Sequence, residues 1–97
     1  MLFKRIKYFV AVVDHHSFTK AALECDISQS AISQQIQALE KELDATLIVR
    51  EKRSFSLTQA GIYFYIQGKD LLKTVAEVKA ETKRISHEGT AVPNVNL

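Results

Sequence analysis

The sequence predicts a mainly α-helical fold with one short β-hairpin and a long C-terminal helix. Apolar residues recur at helical spacing through most of the chain, whereas one stretch near the middle is β-branched and then alternates in the period of a strand. The 97 residues include only three glycines and one proline, which are too few turn residues for an all-β fold. We therefore expect one small domain with a helical appendage.

The first three helices are predicted from apolar stripes and from capping residues. One stripe consists of Leu2, Ile6, Phe9 and Val13. Ser17 is a favourable N-cap for a short helix over residues 18–24. Asp26 lies in a tight connection, where it can adopt a left-handed backbone. Ser28 can cap the next helix, whose stripe consists of Ile32, Ile36, Leu39 and Leu43.

A β-hairpin follows the third helix. Residues 46–50 are short and β-branched, and residues 55–57 alternate apolar and polar side chains. The polar, basic residues 51–54 lie between them. Two helices joined by a tight turn and followed by a basic hairpin form the pattern of a winged helix-turn-helix domain, which we expect over residues 1–58.

Thr58 can cap a final helix that runs to about Ser86, a rod of about 43 Å at about 1.5 Å per residue. Its apolar seam, close to a seven-residue repeat, consists of Phe64, Leu71, Val75, Val78 and Ile85. Gly68 in this repeat is either a weak point or a place of close helix approach. An apolar stripe usually packs on its own domain, but the outer turns of this rod lie beyond it. We therefore predict homodimerisation through residues 59–87, and a hinge or disordered tail over residues 88–97.

The third helix and the hairpin carry candidate DNA contacts. The polar face of the helix consists of Gln29, Ser30, Ser33, Gln34 and Gln37. Glutamine can pair bidentately with adenine, and serine can reach bases or phosphates. On an isolated helix such a face is more often merely solvated, but the preceding turn and the basic hairpin favour DNA. Further candidates for phosphate or groove contacts are Ser17, Thr19, Lys20, Ser28, Arg50, Lys52 and Arg53.

Other kinds of chemistry find little support. The role of Ser17 as a helix N-cap accounts for a serine at this position as well as a contact to a DNA phosphate does. Cys25 is expected to be a small buried residue, and the adjacent His15 and His16 are too few for a metal site. The sequence contains no Gly-rich phosphate loop, zinc-protease motif or nucleophile elbow. We therefore expect no enzyme activity, no cofactor and no metal.

Composition and charge narrow the cellular setting. One cysteine cannot form an internal disulfide, no apolar run approaches a membrane span, and the N-terminus has no small-residue signal-cleavage site. We therefore expect a cytoplasmic protein. The net charge of +2 permits nucleic-acid binding without requiring it.

Several stretches, in order and without gaps, resemble the N-terminal DNA-binding region of LysR-type transcriptional regulators, a bacterial family. The matching stretches are residues 8–12, 17–22, 27–33, 36–40 and 57–61. The resemblance implies that the third helix recognises DNA, that Arg53 on the wing enters the minor groove, and that paired linker helices form a homodimer. It also implies a C-terminal effector-binding domain, absent from this chain, that would hold any small-molecule effector. The chain has Gln34 where the family often has Arg, and Asp44 where it usually has Gly.

These observations predict sequence-specific binding of double-stranded DNA and regulation of transcription by a homodimer. The alternative is a protein-interaction module, for example a truncated antagonist that pairs with a full-length relative through the seam. Salt separates the two, because DNA binding weakens steeply with added salt and an apolar contact does not.

Overall fold

The computed structural model describes residues 2–89 and 91–92, and within them the fold is mainly helical with a two-stranded wing. The elements in order are α1 (Leu2–His15), α2 (Phe18–Glu24), α3 (Gln29–Leu43), β1 (Ile48–Arg50), β2 (Phe55–Leu57) and α4 (Gln59–Glu88). The predicted winged helix-turn-helix architecture is thereby confirmed. The predicted hinge or tail over 88–97 lies mostly outside the described residues, and Glu88 is the last residue of α4.

Three side chains cap the helices as their positions in the sequence predict. Ser17, Ser28 and Thr58 each accept a hydrogen bond from the backbone N–H three residues later, over 2.9 to 3.1 Å. A capping hydroxyl satisfies one of the backbone donors that a helix start leaves unpaired. Asp26, between α2 and α3, has a φ of 57°, so the predicted left-handed turn residue is also confirmed.

The core lies where α1, α2 and α3 meet beneath the wing. Its largest fully buried side chains are Phe9, Val12, Ile32, Ile36, Leu39 and Leu47. The predicted stripes supply most of this set, but Leu2 is 42% exposed, so its assignment to the buried stripe was wrong. Leu2 is the first residue of α1 and lies one turn before Ile6, where burial in that helix begins.

The wing is short and is tied to α3. Its strands pair antiparallel, with Arg50 opposite Phe55. The strand predicted from residue 46 begins only at Ile48, because the segment before it bonds elsewhere. The Glu40 carboxylate accepts the N–H groups of Leu47 and Ile48 at 2.7 and 3.1 Å, and the Leu47 carbonyl accepts the N–H of Thr58 at 3.0 Å. Bonds to α3 and to the start of α4 therefore hold the root of the wing.

The first half of α4 packs on the domain through two glycines. A Cβ atom at Gly61 would lie 2.1 Å from the Leu47 carbonyl oxygen, so only glycine fits there. A Cβ at Gly68 would lie 3.2 and 3.4 Å from the side chains of Ile6 and Val10. Of the two interpretations of Gly68, the structure shows the close helix approach. Beyond Val75, every described residue of α4 is exposed.

Candidate nucleic-acid interface

The polar face predicted on α3 begins at the helix N-terminus and is open to solvent. Gln29, Ser30, Gln34 and Gln37 are exposed, and Ser33 is half-buried. Spacings of three and four residues place these side chains on one side of the helix. The opposite side carries Ile32, Ile36 and Leu39 into the core, so packing fixes which face α3 presents.

The first turns of α2 and α3 meet at this face. The Thr19 hydroxyl donates to Oε1 of Gln29 over 3.2 Å, and the hydroxyls of Ser28 and Ser30 lie 3.3 Å apart. Ser28 also caps α3, so the free backbone N–H groups of that helix start lie beside these hydroxyls. Such a helix start can hold an anion, because its unpaired N–H groups and its dipole both favour negative charge.

The wing places its three cations in two different settings. Lys52 and Arg53 are exposed in the turn between the strands. Arg50, by contrast, is directed back to the helices: its Nη2 donates to Oγ of Ser33 over 3.1 Å, and its Cζ lies 4.1 Å from the ring centroid of Phe18. The structure thus joins Arg50 to the face of α3 and leaves Lys52 and Arg53 at the tip.

Aromatic side chains support the wing, and the sequence did not reveal them as part of the site. Phe55 is buried, with the Phe18 ring edge-on at 5.5 Å and the His16 ring at 4.5 Å between centroids. Nε2 of His16 lies 3.4 Å from Oγ of Ser54. The residues that contact one another belong to segments far apart in the sequence, and no spacing pattern connects them. The one indication in the sequence was Phe18, an aromatic residue directly after the Ser17 cap.

The candidate DNA-contacting cations form no ion pair within the described part of the chain. These cations are Lys20, Arg50, Lys52 and Arg53. The ion pairs involve other residues, for example Lys69 of α4 with Asp14 of α1 at 3.3 Å. Hydrogen bonds with Tyr65 and then Asp14 raise the pKa of Lys69. The cations near α3 therefore keep their charge available for phosphates.

The seam residues of α4 differ in their surroundings. Leu71, Val78 and Ile85 are 52%, 57% and 53% exposed, whereas Val75 is half-buried. Phe64 packs edge-on against Phe9 of its own domain at 5.7 Å. The structure thus leaves an apolar line along the distal rod and turns Phe64 inward. A contribution of these side chains to a dimer stays a prediction.

Away from this interface, the described residues form a cavity with a cysteine in its wall. A cavity of about 560 Å³ lies between α1, α2 and α4, with Lys7, Tyr8, Cys25 and Leu72 in its wall. Burial, followed by the charge of Glu24, raises the pKa of the Cys25 thiol, which disfavours a reactive thiolate. Within residues 2–89 and 91–92, no three potential metal ligands cluster and no helix is both long and apolar enough to cross a membrane.

Comparison with known proteins assigns the family. Residues 3–62 match the family described as bacterial regulatory helix-turn-helix protein, lysR family. The chain is 41% identical over 88 residues to the HTH-type transcriptional regulator YnfL of Escherichia coli (strain K12), covering 91% of this chain and 29% of that protein. It is 43% identical over 86 residues to the HTH-type transcriptional regulator BenM of Acinetobacter baylyi, covering 89% of this chain and 28% of BenM. The chain therefore spans less than a third of the length of these relatives.

A solved structure agrees with this assignment. The chain matches the BenM DNA-binding domain, crystallised in complex with catB site 1 DNA, with a TM-score of 0.86 and 42% identity. The match covers 94% of this chain and all of the BenM domain. These relatives are named as transcriptional regulators. The chain belongs to the LysR family of bacterial regulatory helix-turn-helix proteins and forms the winged helix-turn-helix DNA-binding domain of such a transcriptional regulator.

Proposed function

We propose that this domain binds double-stranded DNA sequence-specifically as a homodimer, with α3 in the major groove and the wing at the minor groove. The observation that carries the proposal is the continuity of the site: the exposed polar face of α3 is joined through Ser33 to Arg50 of the wing. Its cations form no ion pair in the described chain, so DNA does not have to displace a protein carboxylate from them.

Base recognition is assigned to the N-terminal half of α3. Gln29 and Gln34 are exposed and long enough to offer both an amide donor and an acceptor to an adenine edge. Each well-placed bidentate pair contributes about 1–3 kcal/mol of discrimination against a wrong base. Ser30 and Ser33 are short, which lets the helix backbone approach the floor of the groove.

Phosphate and minor-groove contacts are assigned to the wing tip and to the helix starts. Arg53 is the residue that we expect in the minor groove, and Lys52 neutralises a phosphate beside it. Thr19 and Lys20, in the first turn of α2, contact the DNA backbone on the other side of α3. These contacts hold the domain in register without reading sequence.

Dimerisation is assigned to the distal half of α4. Leu71, Val78 and Ile85 form an apolar line that a monomer leaves in water, and a second copy of the helix would cover it. Two copies related by a two-fold axis would present two recognition helices to a partly palindromic site. The seam also makes a protein-interaction module the second candidate function, because a different partner helix could occupy the same line.

The regulatory role follows from the family. We expect the domain to direct a bacterial regulator to its operators in the cytoplasm. We expect a response to a small molecule only if the regulator also carries a C-terminal effector-binding domain.

Selection of genomic fragments by the purified chain at about physiological salt, followed by sequencing, tests the proposal. We expect an enriched, partly palindromic motif. The double variant Gln29→Ala, Gln34→Ala should still bind DNA but lose the enrichment, whereas Gln67→Ala, on the exposed surface of α4, should behave as the wild type. Binding without enrichment would contradict the assigned role of α3. No binding at all would leave the interaction module as the better interpretation.

A further inference from the structure

One guanidinium links three elements at the interface. Arg50 ends β1, lies 4.1 Å from the centre of the Phe18 ring at the start of α2, and donates to Ser33 in the second turn of α3 over 3.1 Å. A cation within about 6 Å of an aromatic ring face is attracted by the ring electrons. Arg50 is therefore held on both sides, by a ring and by a hydroxyl.

The ring that carries Arg50 is itself fixed. Phe18 follows the Ser17 cap and lies edge-on against Phe55, which is only 6% exposed. Phe55 is also the residue directly opposite Arg50 in the wing. Because opposed residues in an antiparallel pair project to the same face, Phe55 supports both the Phe18 ring and the strand that bears Arg50.

This arrangement leaves hydrogen-bonding groups free for a ligand. Guanidinium has five N–H donors, and one of them is used on Ser33. Because Ser33 accepts that bond, its own hydroxyl hydrogen remains available to an acceptor such as a purine edge or a phosphate. Arg53, at the wing tip, has neither an aromatic nor a hydrogen-bonded neighbour among the described residues.

We propose that Phe18 is a positioning residue that holds the Arg50 guanidinium against Ser33, so that Arg50 acts together with the recognition helix in discriminating DNA sequence. Arg53 then contributes affinity for any DNA, whereas Arg50 contributes to the preference for one sequence. This inference rests on the proposed function, since it assigns separate roles at that interface to two arginines.

The test is a double-mutant cycle on sequence preference. The ratio of dissociation constants for a selected duplex and a scrambled duplex of equal length is measured for the wild type, Phe18→Leu, Arg50→Lys and the double variant. Lysine keeps the charge but has no planar group to stack on the ring. We expect Phe18→Leu to reduce the preference about fivefold, the size expected for loss of a partly exposed cation–π contact. Its effect should be smaller once Arg50 is replaced by lysine, because the ammonium is still attracted to the ring but cannot stack on it as a planar guanidinium does. Phe18→Tyr, which keeps the ring, should restore the preference.

A measurement without DNA keeps the proposal testable on its own. In the nuclear magnetic resonance spectrum, the Arg50 Nε–H signal should show a ring-current shift that disappears in Phe18→Leu and persists in Phe18→Tyr. For the duplex-binding measurement, Arg53→Ala is the matched control, because it should weaken binding to the selected and the scrambled duplex equally.

The outcomes separate this inference from the proposed function. A wild type with no preference would overturn both. If Phe18→Leu reduced the preference by the same factor with and without the Arg50→Lys substitution, only the positioning role would be overturned, since Phe18 would then act through packing alone. An Arg50 signal without a ring-current shift would overturn it as well.

Discussion

The winged domain and the distal half of α4 are stabilised in opposite ways. In the domain, side chains from α1, α2, α3 and the wing bury one another, and Glu40 ties the strands to α3. Beyond Val75, the contacts of α4 with other described residues are local, such as those of Arg84 with Glu81 and Glu88. Hydrogen bonds with these carboxylates raise the pKa of Arg84, but exposed pairs add little stability.

This difference indicates where each region finds its stability. Most helical stability in proteins comes from packing of an apolar face, and the distal rod leaves its apolar line in water. The domain therefore has the contacts to fold by itself, whereas the rod leaves Leu71, Val78 and Ile85 in water, where the proposed dimer would cover them. Substitutions in each region should therefore have different consequences.

The largest effect is expected at the distal seam. In the double variant Val78→Asp, Ile85→Asp, the dimer dissociation constant should rise by at least about a hundredfold, because burial of each such side chain contributes about 1.5–3 kcal/mol. Sedimentation equilibrium measures this constant. The matched control is Ala76→Asp, Ala80→Asp. At about 100° per residue, each of these positions lies about 200° around the helix from Val78, so the same charges lie away from the seam and should leave the dimer constant nearly unchanged. Equal weakening by both variants would show that the seam lies elsewhere.

The next effect is expected inside the domain. Gly61→Ala should lower the free energy of unfolding by about 3 kcal/mol, because its Cβ would lie 2.1 Å from a backbone oxygen that cannot rotate away. Urea denaturation at a fixed protein concentration measures this change. Gly68→Ala is the control on the same helix and should have a much smaller effect on the free energy of unfolding. Its Cβ meets a side-chain atom at 3.2 Å, which can shift, and alanine favours the helix. If Gly61→Ala were harmless, α4 would not be seated on the Leu47 carbonyl.

A smaller effect is expected at the wing tip. Arg53→Ala should weaken binding to every sequence by about 1 kcal/mol. It should also make the slope of log binding constant against log salt concentration shallower by about 0.9 per chain, because one phosphate-neutralising charge is lost. Fluorescence anisotropy over a range of salt concentrations measures both. Lys83→Ala, on the distal rod, removes the same charge far from the interface and should leave the slope unchanged. An unchanged slope in Arg53→Ala would remove Arg53 from the DNA contacts.

The smallest effect concerns the end of α3. Asp44 has a φ of 52°, in the left-handed region where glycine is favoured. Asp44→Gly should therefore raise the free energy of unfolding by about 0.5 kcal/mol, after the greater freedom of glycine in the unfolded chain is counted. Thermal melts followed by circular dichroism detect this change, and a lower melting temperature would show that the aspartate side chain stabilises the turn.

Local features were predictable from the sequence and long-range ones were not. The caps at Ser17, Ser28 and Thr58 and the turn at Asp26 depend on neighbouring residues, so the sequence alone indicated them. The exposure of Leu2 departs from its place in the apolar stripe, because Leu2 is the first residue of α1 and lies one turn before Ile6, where burial begins.

The candidate site shows the same difference between local and long-range features. The polar face of α3 follows from helical spacing, and the structure leaves it exposed. The Arg50–Phe18 contact joins segments that meet only in the folded chain, so periodicity does not indicate it. Similarly, the need for glycine at position 61 arises from a backbone oxygen of the segment before β1.

The stoichiometry of binding to a selected, partly palindromic duplex tests DNA binding by a homodimer, and analytical ultracentrifugation at several salt concentrations measures it. If a homodimer binds DNA, we expect two chains per duplex, an affinity that falls steeply as salt rises, and loss of the two-chain complex in the Val78→Asp, Ile85→Asp variant. A single chain bound with the same affinity in both proteins, or an affinity that does not change with salt, would contradict it.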